Sequence, residues 1–221
     1  MDEDNSKLLC LIRHGQGKHN ARPDPRFLWH LTHGSDPELT DLGARQAKAL
    51  RKTLDPSCNY HELSQSVSQP LRNAIAFDAV VVSPLSRTIQ TCAHIFGDQA
   101  VPKVICALMT ERCCSRADVG TPKSGLASRR PECSGWAGLD HLEEQWWPTR
   151  TLSPSEFWPV ERVGRFKAWL HARPERCLAL VGHKGFFQCL TASPSMPKGH
   201  SLGNCDTVWV RLLPDGTIVA S

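Results

Sequence analysis

No stretch of the 221-residue sequence approaches the roughly 20 continuous apolar residues that a membrane-spanning helix requires. Charge of one sign is equally scarce: the net charge is +4, and no run of basic residues exceeds Arg129-Arg130. A basic face for nucleic acid is therefore not expected, nor a membrane partner; a local basic pocket is. Ten cysteines are present, yet none forms a Cys-x-x-Cys pair, and the adjacent Cys113 and Cys114 are badly placed to chelate one ion. A zinc site is not expected, and the thiols read as free, with Cys10, Cys106 and Cys177 as small core residues. Internal repeats and low-complexity tracts are missing. The "GQG" at residues 15–17 lacks the third glycine and downstream acid of a dinucleotide fingerprint, so no cofactor is expected. The acidic start "MDEDNSK" is unlike a secretory or transit leader, which points to a cytoplasmic location. Nothing in the sequence specifies an oligomeric state.

What remains is an ordinary globular composition, 40% hydrophobic and 22% charged, of a length suited to one α/β domain over 1–221. Residues 7–12, "KLLCLI", form a continuous apolar run, the pattern of a strand buried on both faces. A loop rich in Gly, Pro, His and Asp follows over 15–39. Thr40 reads as an N-cap for a helix marked by Ala44, Ala47, Leu50 and Leu54 and closed by Pro56. "AVVV" at 79–82 is a second buried strand. Ser83 and Pro84 then read as N-cap and first helical residue of a helix running to about Phe96, with Gly97 as its stop. "VPKVICAL" at 101–108 is a third strand.

Residues 111 to about 153 lack periodicity and read as an inserted loop or cap, with Trp146, Trp147 and Trp158 packed beneath it. A helix is expected from about Pro159, carried by Val160, Val163, Phe166 and Leu170 and ended by Pro174. "CLALVGHKGFFQCL" repeats strand, turn and helix, and "NCDTVWVRLL" with "GTIVAS" makes a closing hairpin. The alternation predicts an α/β fold: a mixed, mostly parallel central sheet flanked by helices on both faces, with the last strands antiparallel.

Three of these buried strands end in groups that are costly to desolvate: Arg13-His14, Ser83 to Arg87, and His183. In open α/β sheets ligands bind at the carboxyl ends of the strands, so these ends predict one site. Two guanidiniums, with the N–H groups of the helix that begins near Pro84, suit a phosphate dianion. A neutral His14 imidazole is then placed to attack phosphorus, His183 to steady the equatorial oxygens, and Glu111 to protonate the departing alkoxide. Arg87 sits in a first helical turn, where a cation opposes the helix dipole and needs an anion to offset it. Glu111 and Asn20 also have plain readings, as a surface carboxylate paired with Arg112 or Arg116 and as a loop cap. Lys18, His19 and the remaining histidines read as ordinary loop, surface or core residues. Arg129 and Arg130 read either as contacts to the far end of a phosphorylated substrate or as solvated side chains.

"LIRHGQGKHN", "VVVSPLSRTIQT", the lone Glu111 after the next strand, "WWPTR" and "VGHKGF" resemble, in order and over nearly the whole chain, the histidine phosphatase superfamily, in particular its plant and fungal phosphoglycerate mutase-like branch. The resemblance implies a phosphoglycerate mutase-like fold and a metal-independent phosphatase acting on phosphomonoesters. It implies His14 as the nucleophile that becomes phosphohistidine, and Arg13, Asn20, Arg87 and His183 as the phosphate pocket. Glu111 would be acid, then base, and residues 111 to about 153 the substrate entrance. A phosphorylated small molecule is the implied substrate, with a phosphoprotein as a further possibility. Two alternatives share these residues: a phosphoglycerate mutase, and a phosphate- or phosphoprotein-binding module without catalysis. Lys184 stands where relatives often carry Ser, adding a cation beside the pocket. The Arg-Arg-Ser-Tyr-type block of the established mutases is absent, which favours hydrolysis.

Overall fold

Alternate residues of "LLCLI" enter different cores, which is why the run is apolar without a break. In the computed structural model, which describes residues 5–21, 34–54, 76–113, 115–148 and 159–221, six strands form one sheet. They are β1 (Lys7–Arg13), β2 (Ala79–Val82), β3 (Lys103–Ile105), β4 (Cys177–Gly182), β5 (Thr207–Leu212) and β6 (Ile218–Ala220), in the spatial order β3-β2-β4-β1-β5-β6. The first four are mutually parallel, and β5 and β6 run antiparallel, as the sequence pattern predicts.

Among the described residues five helices accompany them: α1 (Asp41–Leu54), α2 (Ser86–Phe96), α3 (Lys123–Arg129), α4 (Val160–His171) and α5 (Lys184–Leu190). Leu9, Leu11, Val81, Leu178 and Leu180 face one core with Phe166 and Leu170 of α4 and Phe186 and Phe187 of α5. Cys10, Ile12, Val80, Val82, Ala179 and Val181 face the other, against Ala47 of α1 and Ile89, Cys92 and Phe96 of α2. Each such aliphatic or aromatic side chain taken out of water contributes about 1.5–3 kcal/mol, so the central strands anchor everything at their ends. Cys10 and Cys106 are core residues and Cys177 is half-buried; none is in a disulfide, and burial raises all three thiols, Cys106 and Cys177 to about 11.

Local signals placed α1 well: Thr40 Oγ1 accepts the Gly43 N–H at 3.0 Å, as an N-cap should. Gly43 is there because the main chain after β1 passes over it. A Cβ on Gly15 would stand 2.5 Å from the Gly43 carbonyl oxygen, so α1 docks directly on the turn that carries His14. Pro56 and Trp158 lie outside the described residues. The other boundaries shift. Helix α2 starts at Ser86 rather than Pro84, β3 is three residues long rather than eight, and α4 ends at His171, ahead of Pro174. Residues 111–148 contain, besides loops, the two-turn α3 and short 3₁₀ turns at Arg116–Asp118 and Pro131–Cys133. Trp146 is buried, donates its indole N–H to Thr121 O at 2.9 Å and meets Trp147 edge to face, which is the packing role expected of this pair.

Candidate active site

Because β2, β4 and β1 are neighbours and parallel, their carboxyl ends lie side by side. The ladder pairs Arg13 with Gly182, one residue before His183, and Val82 with Val181, so Ser83, His183 and His14 leave the sheet together. Main-chain bonds hold the exits: His14 N to Gly182 O at 3.0 Å and Ser83 N to Val181 O at 3.1 Å. From β5's side Asn204 Nδ2 donates to His14 O at 3.0 Å. The expected meeting of strand ends is observed, and the His14 and His183 rings stand 5.2 Å apart, edge to face.

The His14 ring is buried, and its Nδ1 lies 2.7 Å from Gly15 O. A carbonyl only accepts, so Nδ1 carries the hydrogen and Nε2 holds the lone pair. Burial, then the charges of Arg87, His19 and Arg13, hold the imidazole well below its ordinary pKa of 6.5, against the opposing pull of the bond to Gly15. His14 is therefore a neutral imidazole with a fixed tautomer. His183 is fully buried and similarly depressed, by burial first and then by Arg87, His14, His19 and Arg162. Its Nε2 lies 2.8 Å from Ser83 Oγ, while its Nδ1 is buried without a hydrogen-bond partner among the described residues. Ser83 thus serves as an orienter of His183 rather than as the expected N-cap.

Both arginines are present, each already partly engaged. Arg13 Nη1 donates to Leu202 O at 2.9 Å, and its Nε is buried and unpartnered among the described residues. Arg87 is 1% exposed. It donates from Nη1 to Ala117 O at 2.7 Å and from Nη2 to Asp118 Oδ1 at 3.0 Å, and again leaves Nε buried without a described partner. The anion that its helix position called for is thus, in part, a protein carboxylate. Asp118 is itself held by Ser115 N and Oγ, each at 3.1 Å from Oδ2. Three buried nitrogens, on Arg13, Arg87 and His183, thus have no hydrogen-bond partner among the described residues. Buried polar atoms of this kind cost about 1–3 kcal/mol each when left unmatched, and an oxyanion satisfies N–H donors.

The N-terminus of α2 is already partly engaged. Contrary to expectation, its first N–H, Ser86 N, is taken by Asp36 Oδ1 at 2.7 Å. Asp36 Oδ2 accepts from Ser86 Oγ and Thr121 Oγ1, both at 2.7 Å, so a buried carboxylate stands where a substrate phosphate was expected to bind. Arg129 is exposed, as its solvated reading has it, whereas Arg130 fits neither expectation. Arg129 Nη2 donates to Asp36 O at 3.1 Å. Arg130 is buried, donates to Ser86 Oγ at 3.0 Å and pairs with Glu38.

Glu111 follows the 3₁₀ turn Ala107–Met109 after β3 and is half-buried. Its Oε2 accepts Gly185 N and its Oε1 accepts Arg112 N, both at 3.0 Å, so the carboxyl sits against the start of α5 beside His183. Glycine at 185 leaves room for this grip: a Cβ there would push aside the Glu111 carboxyl and the Arg112 side chain. Asn20 and Lys184 are exposed. His19, by contrast, comes inward from the 3₁₀ turn Lys18–Asn20 to within 5.6 Å of the His14 ring. Nothing in its local sequence distinguishes it from the other loop histidines. Among the described residues no group of three or more His, Cys, Asp or Glu is arranged to hold a metal ion, and no helix is long and apolar enough to cross a membrane.

The two depressed histidines carry a stability signature. Above pH 6.5 both are neutral whether the chain is folded or not, and neither contributes. As pH falls through about 6.5 the unfolded chain takes up two protons that the folded chain refuses, so stability declines by up to about 1.4 kcal/mol per pH unit for each histidine. Thermal melts between pH 7.5 and 5 should show this loss, and His183→Asn should flatten it. An acid slope identical in the variant and the wild type would refute the assignment.

Residues 9–220 match the sequence model of the histidine phosphatase superfamily (branch 1). Phosphoglycerate mutase-like protein 1 of Arabidopsis thaliana is 25% identical over 219 residues, covering 84% of this chain and 71% of that one. The alpha-ribazole phosphatase of Shigella flexneri superposes with a TM-score of 0.56 at 19% identity, over 97% of this chain and 94% of that one. The phosphoglycerate mutase of Bacillus anthracis does so with a TM-score of 0.56 at 12% identity, over 98% and 92%. At these identities the two structures establish the fold and leave the chemistry to the residues.

Proposed function

The chain belongs to the histidine phosphatase superfamily (branch 1), and from that membership we propose that it is a metal-independent phosphatase that hydrolyses phosphomonoesters through a phosphohistidine on His14. The observation that carries the proposal is the state of His14: neutral, tautomerically fixed, with the His183 ring 5.2 Å away and the Arg87 and Arg13 charges near enough to depress its pKa.

The phosphoryl group of a small phosphorylated substrate binds as a dianion across Arg13 Nε–H, Arg87 Nε–H and His183 Nδ1–H, with Asn20 at the exposed rim. Ser83 donates its hydroxyl proton to His183 Nε2, which keeps the imidazole proton on Nδ1, where the phosphate needs a donor. His14 Nε2 attacks phosphorus in line. The P–O ester bond breaks, and Glu111 gives its proton to the leaving oxygen. Positive charge that develops on the phosphorylated imidazole is shared through Nδ1–H with Gly15 O. Two guanidiniums supply the electrostatic stabilisation that metal ions supply in many other phosphoryl-transfer sites. The Glu111 carboxylate then takes a proton from water, which attacks phosphorus. The P–N bond breaks, inorganic phosphate leaves, and His14 and protonated Glu111 are restored.

A phosphoglycerate mutase would share every step up to phosphohistidine and return the group to its substrate. Product analysis separates the two. Wild-type protein in excess chelator, given a panel of phosphomonoesters that includes 3-phosphoglycerate, is expected to release inorganic phosphate. Isomerised phosphoglycerate without free phosphate would assign the mutase, and tight binding without turnover of any ester would assign a binding module.

A further inference from the structure

Arg162 of α4 lies 51 residues after Glu111 in the chain, yet it spends its guanidinium on the backbone that carries Glu111. Nη1 donates to Leu108 O at 3.2 Å and to Thr110 O, and Nη2 donates to Glu111 O at 3.1 Å. It has no ion-pair partner among the described residues. Its Cζ also sits 5.6 Å from the centre of the Phe186 ring, on α5. That helix supplies the Gly185 N–H that grips Glu111 Oε2. One half-buried cation therefore ties together the two elements that hold the carboxyl, the 108–111 segment by its carbonyls and α5 by an aromatic face.

The 108–111 segment needs such a tie. It spans the end of a single 3₁₀ turn, beyond the end of a three-residue strand. Carbonyls at the end of a helical turn go unmatched unless something donates to them, and a guanidinium can serve several at once. The Glu111 carboxyl itself is gripped by the Gly185 and Arg112 N–H groups.

We propose that Arg162 is the positioning residue for Glu111, and that it sets how poor a leaving group the enzyme can expel. This rests on the phosphohistidine reading above. It acts through another side chain and touches no substrate, so its signature differs from that of the phosphate pocket. The quantity kcat/KM ends at phosphohistidine and senses Glu111 only as an acid. An alkyl alkoxide needs that proton, whereas p-nitrophenolate leaves almost unaided.

The test is a series of monoesters from p-nitrophenyl to simple alkyl phosphates, with wild type, Arg162→Met, Arg162→Lys, Glu111→Gln and the double variant Glu111→Gln/Arg162→Met. Arg162→Met keeps the apolar stem and is expected to lose about 10- to 100-fold in kcat/KM on alkyl esters. On p-nitrophenyl phosphate the loss should be only a few-fold, and Arg162→Lys should recover part of the deficit. The double variant should be no slower on alkyl esters than Glu111→Gln alone. An equal loss on aryl and alkyl esters, or full additivity in the double variant, would overturn the positioning role while leaving the phosphatase intact. Should Arg162→Met fail to fold, the same aryl-to-alkyl comparison in Arg162→Lys decides. Wild type that turns over no ester would remove the phosphatase reading, and this role with it.

Discussion

His14→Ala is expected to lower kcat/KM by at least about 10⁴-fold, the scale on which loss of a covalent nucleophile is felt when no neighbour can replace it. No neighbour is suitably placed. His183 is the nearest imidazole at 5.2 Å, but its Nε2 is turned to Ser83, and a proton on its Nδ1 is what the phosphate pocket requires. His19, on the 3₁₀ turn Lys18–Asn20, is farther still, with its ring 5.6 Å from that of His14. Rapid quenching of the wild type with labelled substrate should trap label in an acid-labile, alkali-stable bond, the behaviour of a phosphoramidate, and the variant should trap none. Residual turnover above about 1% in His14→Ala, or a trapped label stable to acid, would end the phosphohistidine mechanism.

The substitution also leaves the architecture of the pocket in place. The main chain at His14 is fastened by the Gly182 carbonyl and by Asn204, neither of which depends on the imidazole. Loss of activity with an unchanged fold is therefore the expected pairing, and inorganic phosphate should still raise the melting temperature through Arg13 and Arg87.

The strand ends were legible because burial on both faces leaves an unmistakable mark. A run such as "LLCLI" has no polar face, so the first polar residue after it locates the edge of the sheet. The parallel order then follows from the helices between strands. What escaped was supplied from far along the chain. Ser83-Pro84 carries a local capping signal, yet α2 begins at Ser86, because its first N–H is met by Asp36, 50 residues earlier, and Ser83 is needed by His183, 100 residues later. Arg87 reads as a cation awaiting a ligand, but Asp118 across the insert occupies part of its guanidinium. Helix α3 left no periodic trace because only Leu126 of its seven residues is buried. His19 and Arg162 carry no motif of their own; only the folded chain brings one to His14 and the other to Glu111.

Asp36→Ala should cost about 3–5 kcal/mol of stability, more than any exposed substitution in the chain. The Asp36 side chain is wholly buried and accepts three hydrogen bonds, from Ser86 N, Ser86 Oγ and Thr121 Oγ1, each at 2.7 Å. Bonds to a charged acceptor contribute about 1.5–3 kcal/mol apiece, less when several share one group, and alanine would leave all three donors buried and unmet. The carboxylate also neutralises the positive end of α2, whose second residue is Arg87, and through Thr121 it joins the 34–40 loop to the insert. For a chain of this size such a loss lowers the melting temperature by about 10 °C. Asp36→Asn separates charge from shape. Asparagine tolerates the left-handed backbone at this position (φ +52°) and keeps one acceptor, so it should cost less than half as much. The loss should also appear in catalysis only as far as the helix shifts, since Asp36 makes no direct contact with Arg87's guanidinium. If Asp36→Ala melted within about 1 °C of the wild type, the cap would be ornamental, and the Arg87 end of the site would be held by Asp118 and the Ala117 carbonyl.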